Sequence, residues 1–384
     1  MKPRVLICAG SYVPGFDSSG PNLSLRAMCE ALRDDFDFSI AARDRPLGAA
    51  ASTVEAGRWH DLGYARSIHL PARRIGVSGL GKLLAETPHD VLDLNGFFDR
   101  DFTIPALVHR RWAGRSGGVL LSPRGEFSGG ALALKSPQKR AYLFAARALG
   151  LLRGVTLHAT SDAEFADIRE ALPDSDVRLV TNLRPMFDLP DHAPRPPGTP
   201  LRVAFLGRIS PVKGLDVALR ALARVVRPVR FEIYGPAQDM AHWEGCQRLI
   251  AALPGHIEAV AMGEIANADA ALAMARQDVL LLPSRSENFG HSIFEALAAG
   301  TPVVIGQKTP WRDLAAVQAG WDVPLDDVDA VAAAIDRFAI MPDAELAAWR
   351  TGARRRAEAH VAGSDALPKM RELFNELAGK KAKR

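Results

Sequence analysis

Two doubly wound α/β domains with parallel sheets are the fold class this sequence predicts, on three observations. Short apolar runs alternate with helical patterns along the whole chain. At 384 residues the chain exceeds what one hydrophobic core usually holds. Near the middle, Asp191 to Pro200 (DHAPRPPGTP) breaks the alternation with four prolines, a glycine and no periodicity, which reads as a linker. The expected division is a first domain over residues 1–190, a linker over 191–200 and a second domain over 201–363. A terminal helix of about 364–384 is able to pack back on the first domain.

The strand candidates of the first half are residues 5–9, 36–40, 91–94, 119–121, 155–158 and 177–180. Those of the second half are 203–206, 231–234, 257–261, 279–282 and 303–305. Alternation with helical patterns makes these right-handed βαβ units, hence Rossmann-like domains with a ligand expected in the cleft at the strand C-termini. No short-period repeat or low-complexity tract is present.

Composition narrows the function classes. Hydrophobic residues at 48% and charged residues at 24% are ordinary for a soluble globular protein. No apolar run approaches the roughly 20 residues that span a bilayer, and no charged-then-apolar leader opens the chain, so a cytoplasmic protein is expected. Cys8, Cys29 and Cys246 are odd in number, scattered and without metal-ligand spacing, which suits reduced thiols. The net charge of +4 is unevenly spread: residues 66–147 carry thirteen basic and six acidic side chains. Such a segment could face anionic lipid headgroups or a pyrophosphate-bearing acceptor; solvated helix faces are the plainer reading. Nucleic acid fits poorly, because the interleaved aromatics and module signatures that read bases are missing. The closing Lys380, Lys381, Lys383 and Arg384 read as a solvated tail.

Four loops follow strand candidates. The first, Ser11 to Pro21 (SYVPGFDSSGP), holds glycines that let backbone approach a ligand, with Asp17, Ser18 or Ser19 as possible helix caps. The second, Ser122 to Glu126 (SPRGE), carries Arg124, which stays protonated and so cannot be a general base. It could bind an anionic acceptor or a phosphate, or pair with Glu126 or another neighbour. The third, within Leu206 to Leu215 (LGRISPVKGL), brings Arg208 and Lys213 where two cations could meet a diphosphate, although loop cations are more often solvated. The fourth lies in Leu281 to Gly306 (LLPSRSENFGHSIFEALAAGTPVVIG) and carries Glu287, with Glu295 about one turn inside the following helix.

That helix start offers unpaired backbone N–H groups at Gly290, His291 and Ser292, a seat for phosphate. Ionised carboxylates at Glu287 and Glu295 suit sugar hydroxyls; a hydrolytic carboxylate pair or two solvated surface groups are the other readings. Among the histidines, His109 is expected to be exposed, His158 to be a satisfied interior residue, and His291 to donate to sugar or phosphate. Trp311 is expected to pack rather than to form a sugar platform. Asp326, Asp327 and Asp329 suit helix capping and lack calcium-loop spacing.

The segment SENFGHSIFEALAAGTPVVIG, with its two glutamates, Phe-Gly, Ala-Gly and Pro-Val-Val in register, resembles the signature of family 4 glycosyltransferases. Gly-Arg-x-x-x-x-Lys-Gly at Gly207 to Gly214 resembles the same family, as does Thr309-Pro310-Trp311 its bacterial surface-polysaccharide members. The resemblance implies the GT-B fold, two Rossmann-like domains facing each other across a cleft, with the acceptor on the first and the nucleotide sugar on the second. It implies that Glu287 contacts the transferred sugar, Glu295 the ribose, and Arg208 and Lys213 the donor phosphates. Asn288, Phe289, Gly290, His291 and Ser292 would complete the donor site, with Gly20 from the first loop, where Ser19 replaces the family's adjacent glycine. The family often has histidine where this chain has Arg124, so no histidine role carries over.

The activity implied is retaining transfer from a UDP- or GDP-sugar to a hydroxyl of a glycan or lipid-linked acceptor, without metal or other cofactor. The implied setting is assembly of bacterial surface polysaccharide or lipopolysaccharide on the cytoplasmic face of the inner membrane. An epimerase of the same fold and a non-catalytic nucleotide-sugar-binding subunit are the alternatives.

Overall fold

The structure is a computed structural model that describes residues 1–15, 20–45, 52, 54–113, 117–128, 136–189, 192, 195, 196 and 198–380. It forms two compact units, Met1–Arg184 with Ser364–Arg384, and Pro185–Gly363.

The first unit holds strands β1 (Arg4–Cys8), β2 (Asp37–Arg43), β3 (Trp59–Asp61), β4 (Arg66–Leu70), β5 (Val91–Asn95), β6 (Gly118–Ser122), β7 (Val155–Ala159) and β8 (Asp176–Leu179). Their order is β3-β4-β2-β1-β5-β6-β7-β8, parallel throughout except for β3 against β4. Helices α1 (Gly20–Leu32), α2 (Val77–Glu86), α3 (Thr103–Ala113), α4 (Ser136–Ala148) and α5 (Asp162–Ala171) alternate with them. Strand periodicity splits the core in two. Leu6, Leu92, Leu94, Val119, Leu121 and Leu157 point to one face of the sheet, Val5, Ile7, Phe38 and Leu120 to the other.

The C-terminal helix (Ala366–Gly379) covers that second face. It buries Ala366, Met370, Leu373, Phe374 and Leu377, one helical stripe, and sets the Phe374 ring 5.4 Å from that of Phe36. A Cβ at Gly118 would lie 2.4 Å from the Leu377 carbonyl oxygen, so the helix backbone rests on β6 where only glycine leaves room.

The second unit holds β9 (Leu201–Leu206), β10 (Val229–Tyr234), β11 (Ile257–Gly263), β12 (Val279–Leu282), β13 (Val303–Gly306) and β14 (Gly320–Val323), all parallel, in the order β11-β10-β9-β12-β13-β14. Helices α6 (Leu215–Leu222), α7 (Met240–Ala251), α8 (Asn267–Ala275), α9 (His291–Ala298), α10 (Val328–Ile340) and α11 (Asp343–Ala362) connect and flank them. The chain winds outward from β9 in one direction as far as β11, then returns to start β12 on the other side of β9. The gap between the ends of β9 and β12 is thus the topological switch point, where open α/β sheets take their ligands.

The sequence reading missed β3 and β4 and gave no bounds for β14, the short strand ahead of Asp326. In β4 the polar Ser67 and His69 alternate with Ile68 and Leu70, yet all four are buried, so no apolar run marks the strand. β3 and β14 are edge strands of three and four residues, too short for a period. His109 also departs from expectation. It is half-buried with its ring against Gly81, where a Cβ would come within 2.6 Å of Nδ1.

Candidate functional site

Two loops meet at the switch point of the second unit. After β9 the chain passes Gly207 and Arg208 into a 3-10 turn at Pro211–Lys213, then Gly214, then α6. After β12 it passes Pro283 and Ser284 to Gly290, which starts α9 in a left-handed conformation (φ 78°). Several contacts bind the loops together. The Arg285 backbone N–H donates to the Val212 carbonyl (2.8 Å), and its guanidinium grips both carboxylate oxygens of Asp216 on α6 (2.8 and 3.1 Å) and the Pro211 carbonyl. Gly214 has φ 71°, and a Cβ there would lie 2.1 Å from the Pro283 carbonyl oxygen. Only glycine permits both that conformation and that approach.

This clamp aims Lys213 at Glu287. Lys213 Nζ donates to Glu287 Oε1 at 2.6 Å, and Ser284 Oγ donates to the same oxygen at 2.7 Å. The pair is sheltered, with side-chain exposures of 17% for Lys213 and 9% for Glu287, so it feels less screening than a surface ion pair. The Glu287 N–H donates to the Lys308 carbonyl (3.0 Å), which fixes the backbone from the β13 side. Arg208 is different: it is exposed and reaches Gln238 Oε1 at 3.0 Å.

Glu295 is 5% exposed on α9, close behind the helix start formed by Gly290, His291 and Ser292. Asn288 and Ser292 are half-buried, and the Phe289 and His291 rings lie 4.8 Å apart. Trp311 is buried and donates its indole N–H to the Phe289 carbonyl (2.7 Å), so it holds the loop from beneath, as packing predicted. Asp327 caps α10 by accepting from the Ala330 N–H at 2.9 Å. Ser284 and the Arg285–Asp216 clamp escaped the sequence reading. The available signal was a serine directly after an apolar strand, three residues before the glutamate it serves.

The first unit gathers polar side chains at the strand ends facing its C-terminal helix. Asp93, Asn95, Ser122 and His158 share the sheet face of Val91 and Leu120 by strand alternation. Arg124, at φ 59°, donates to Asn95 Oδ1 (3.0 and 2.7 Å) and to Asn182 Oδ1 (3.0 Å). It therefore does not pair with Glu126, whose carboxylate accepts from the Phe97 and Phe98 N–H groups instead.

Burial raises the Asp93 carboxyl to about 6, partly countered by Arg124. It lowers His158 to about 4, and the Arg124 charge pushes the same way. His158 is thus neutral near pH 7, with Nε2–H donating to the Val180 carbonyl (2.8 Å) and Nδ1 accepting from Ser122 (2.9 Å). That makes it the satisfied interior histidine expected. Gly20 is the first residue of α1; Asp17, Ser18 and Ser19 lie outside the described residues. Among the described residues no group of three His, Cys, Asp or Glu could hold a metal ion, and the three cysteines are free and buried.

Residues 191–356 match the model of the family described as Glycosyl transferases group 1. A phosphatidyl-myo-inositol mannosyltransferase of Mycolicibacterium smegmatis is 36% identical over 152 residues, which is 38% of this chain and 37% of the relative. A D-inositol 3-phosphate glycosyltransferase of Streptomyces scabiei is 35% identical over 190 residues, 41% of this chain and 40% of the relative. The chain thus spans about two fifths of the length of these curated relatives.

Among solved structures, sucrose-phosphate synthase from Thermosynechococcus elongatus superposes with a TM-score of 0.74 at 19% identity, covering 98% of this chain and 99% of that one. Anabaena HepE in complex with UDP and glucose gives 0.68 at 16% identity, covering 98% and 100%. At such low identity these likenesses establish the fold, two parallel-sheet α/β units of the GT-B kind.

Proposed function

We propose that this protein is a retaining glycosyltransferase of family 4, moving a hexosyl or N-acetylhexosaminyl group from a UDP- or GDP-sugar to a hydroxyl of a glycan or lipid-linked acceptor. The observation that carries the reading is the Lys213–Glu287 pair, 2.6 Å apart at the switch point of the second unit. A diphosphate needs a cation and a sugar needs an acceptor of hydroxyl hydrogen bonds, and this pair supplies one of each. The group 1 match over residues 191–356 and a neighbour solved with UDP and glucose support it.

Lys213 and Arg208 take the donor phosphates, and the helix start at Gly290, His291 and Ser292 adds backbone N–H groups. Glu287 accepts from hydroxyls of the transferred sugar; Glu295 accepts from those of the ribose. Asn288 and Phe289 shape the loop between them, and Arg124 of the first unit takes an anionic acceptor or a phosphate. The acceptor oxygen attacks the anomeric carbon on the face from which the nucleoside diphosphate departs. The anomeric carbon–phosphate oxygen bond breaks, and the acceptor's proton passes to a phosphate oxygen. Lys213 stabilises the charge growing on that leaving group, so its contribution belongs to the transition state. Protein cations supply the positive charge, and no metal takes part.

The biological setting proposed is cell-surface polysaccharide assembly at the cytoplasmic face of a membrane. Among the described residues no helix is long and apolar enough to cross one. The test is a donor screen with and without a lipid-linked acceptor. Diphosphate release should require the acceptor, persist in a chelator, and fall about 100-fold or more in kcat in Lys213→Ala. Donor interconversion without acceptor, or an unimpaired Lys213→Ala, overturns the reading.

A further inference from the structure

Helix α4 turns an unusual face outward. Its exposed positions include Arg140, Phe144, Arg147 and Ala148, three and four residues apart and therefore on one side. Phe144 is 76% exposed, Trp112 at the end of α3 is 76% exposed, and Leu149 just beyond α4 is 57% exposed. The segments that carry them are neighbours. Arg111 Nε donates to the Leu149 carbonyl (3.1 Å) and Arg110 to the Arg153 carbonyl (2.9 Å), tying the end of α3 to the turn that follows α4. Between Arg140, Phe144, Arg147 and Ala171 of α5 runs a groove of about 620 Å³, walled also by Leu143 and Ala148.

The positive charge of this region lies on α3, α4 and the turn after it, whereas α5, whose Ala171 walls the groove, carries Asp162, Asp167 and Glu170. From Phe102 to Ser161 the sequence carries nine arginines and lysines and a single acid, Glu126, which faces inward to the Phe97 and Phe98 amides. The side chains of Arg140, Arg147 and Arg153 have no hydrogen-bond or ion-pair partner among the described residues. Exposed aromatic rings beside unpaired guanidinium groups mark an interaction surface. A second copy of the chain suits it badly, since a two-fold contact would set these arginines against themselves. An anionic lipid surface meets both needs: headgroup phosphates take the guanidinium groups, and the interfacial layer takes indole, phenyl and leucyl groups.

We propose that the face formed by Trp112, Phe144 and Leu149 with Arg140, Arg147 and Arg153 docks this protein on an anionic bilayer. This gives the membrane part of the preceding reading a definite surface. Its test involves no sugar transfer, so the two can fail separately.

The full chain is sedimented with vesicles of phosphatidylcholine alone or mixed with phosphatidylglycerol, at low and high salt. Binding is expected to the mixed vesicles only and to weaken with salt. The double variant R140S/R147S should bind about 25-fold more weakly, roughly 5-fold for each charge lost. W112S/F144S should also lose most binding. Circular dichroism of both variants should match the parent, because every substituted side chain is exposed. Equal binding to neutral vesicles, no binding to anionic ones, parental binding by both double variants, or self-association that the variants abolish would each overturn the proposal.

Discussion

Glu287 Oε1 accepts two hydrogen bonds, one from a charged donor and one from a neutral donor, and the neutral one is easily overlooked. Ser284 is wholly buried and serves Glu287 from within the loop, so under the proposed function its hydroxyl would hold the carboxylate when Lys213 meets the donor phosphates. Ser284→Ala should leave the fold intact and lower kcat about 10-fold, the effect of one hydrogen bond of about 1.5 kcal/mol to a charged group. Steady-state kinetics reads this directly, and an unchanged kcat would remove Ser284 from the site. The strand-to-helix loops bearing Arg208, Lys213 and Glu287 were legible from local patterning. The roles expected of those residues and of Glu295 came from the family resemblance of their motifs, because loop cations and carboxylates are commonly solvated. Ser284 was not legible, because serine in a loop is commonplace and only its hydrogen-bond partner distinguishes it.

At the scale of elements, two strand-to-helix crossings are pressed together at Gly214. Gly214→Ala adds a Cβ 2.1 Å from the Pro283 carbonyl oxygen and strains a left-handed residue, so the 3-10 turn bearing Lys213 must move. The expected result is a loss of about 2 to 3 kcal/mol in stability with weakened donor binding, measurable by thermal unfolding and calorimetry. A variant with parental affinity would show that Lys213 does not depend on this packing.

Strands β5 and β7 carry a second consequence, through pH. Asp93 titrates near 6 when folded, above its unfolded value of about 3.9, so the stability it contributes is present below about pH 4 and lost as pH rises through 6. His158 titrates near 4 when folded, below its unfolded value of about 6.5, so its contribution is present above about pH 6.5 and lost as pH falls through 4. The two slopes oppose each other in one window. Asp93→Asn should leave a protein losing up to about 3 kcal/mol on acidification from pH 6.5 to 4, whereas His158→Gln should leave one that gains stability from pH 6 to 4. Urea midpoints across that range decide it, and parallel profiles in the two variants would refute the assignment.

For the molecule as a whole, the last helix completes the first unit although some 180 residues of the second separate it from Arg184. Phe374 is wholly buried there, beside Phe36 and Phe38. Phe374→Ala should cost about 3 to 5 kcal/mol, seen as a lower Tm, with the nucleotide binding proposed for the second unit unimpaired. An unshifted Tm would mean that the helix adds little to the core.

Local patterning along the chain was enough for the doubly wound class, eleven of the strands, the loops carrying Arg208, Lys213 and Glu287, and the helix carrying Glu295. It sufficed because apolar periodicity and loop chemistry are local properties. Tertiary structure alone decided that β4 is a buried strand despite Ser67 and His69, that Arg124 turns to Asn95 and Asn182, and that Ser284 and Lys213 converge on one oxygen of Glu287. Those outcomes depend on strand order, which brings β9 beside β12 and β5 beside β6, and contacts made across a sheet leave no periodic trace along the chain.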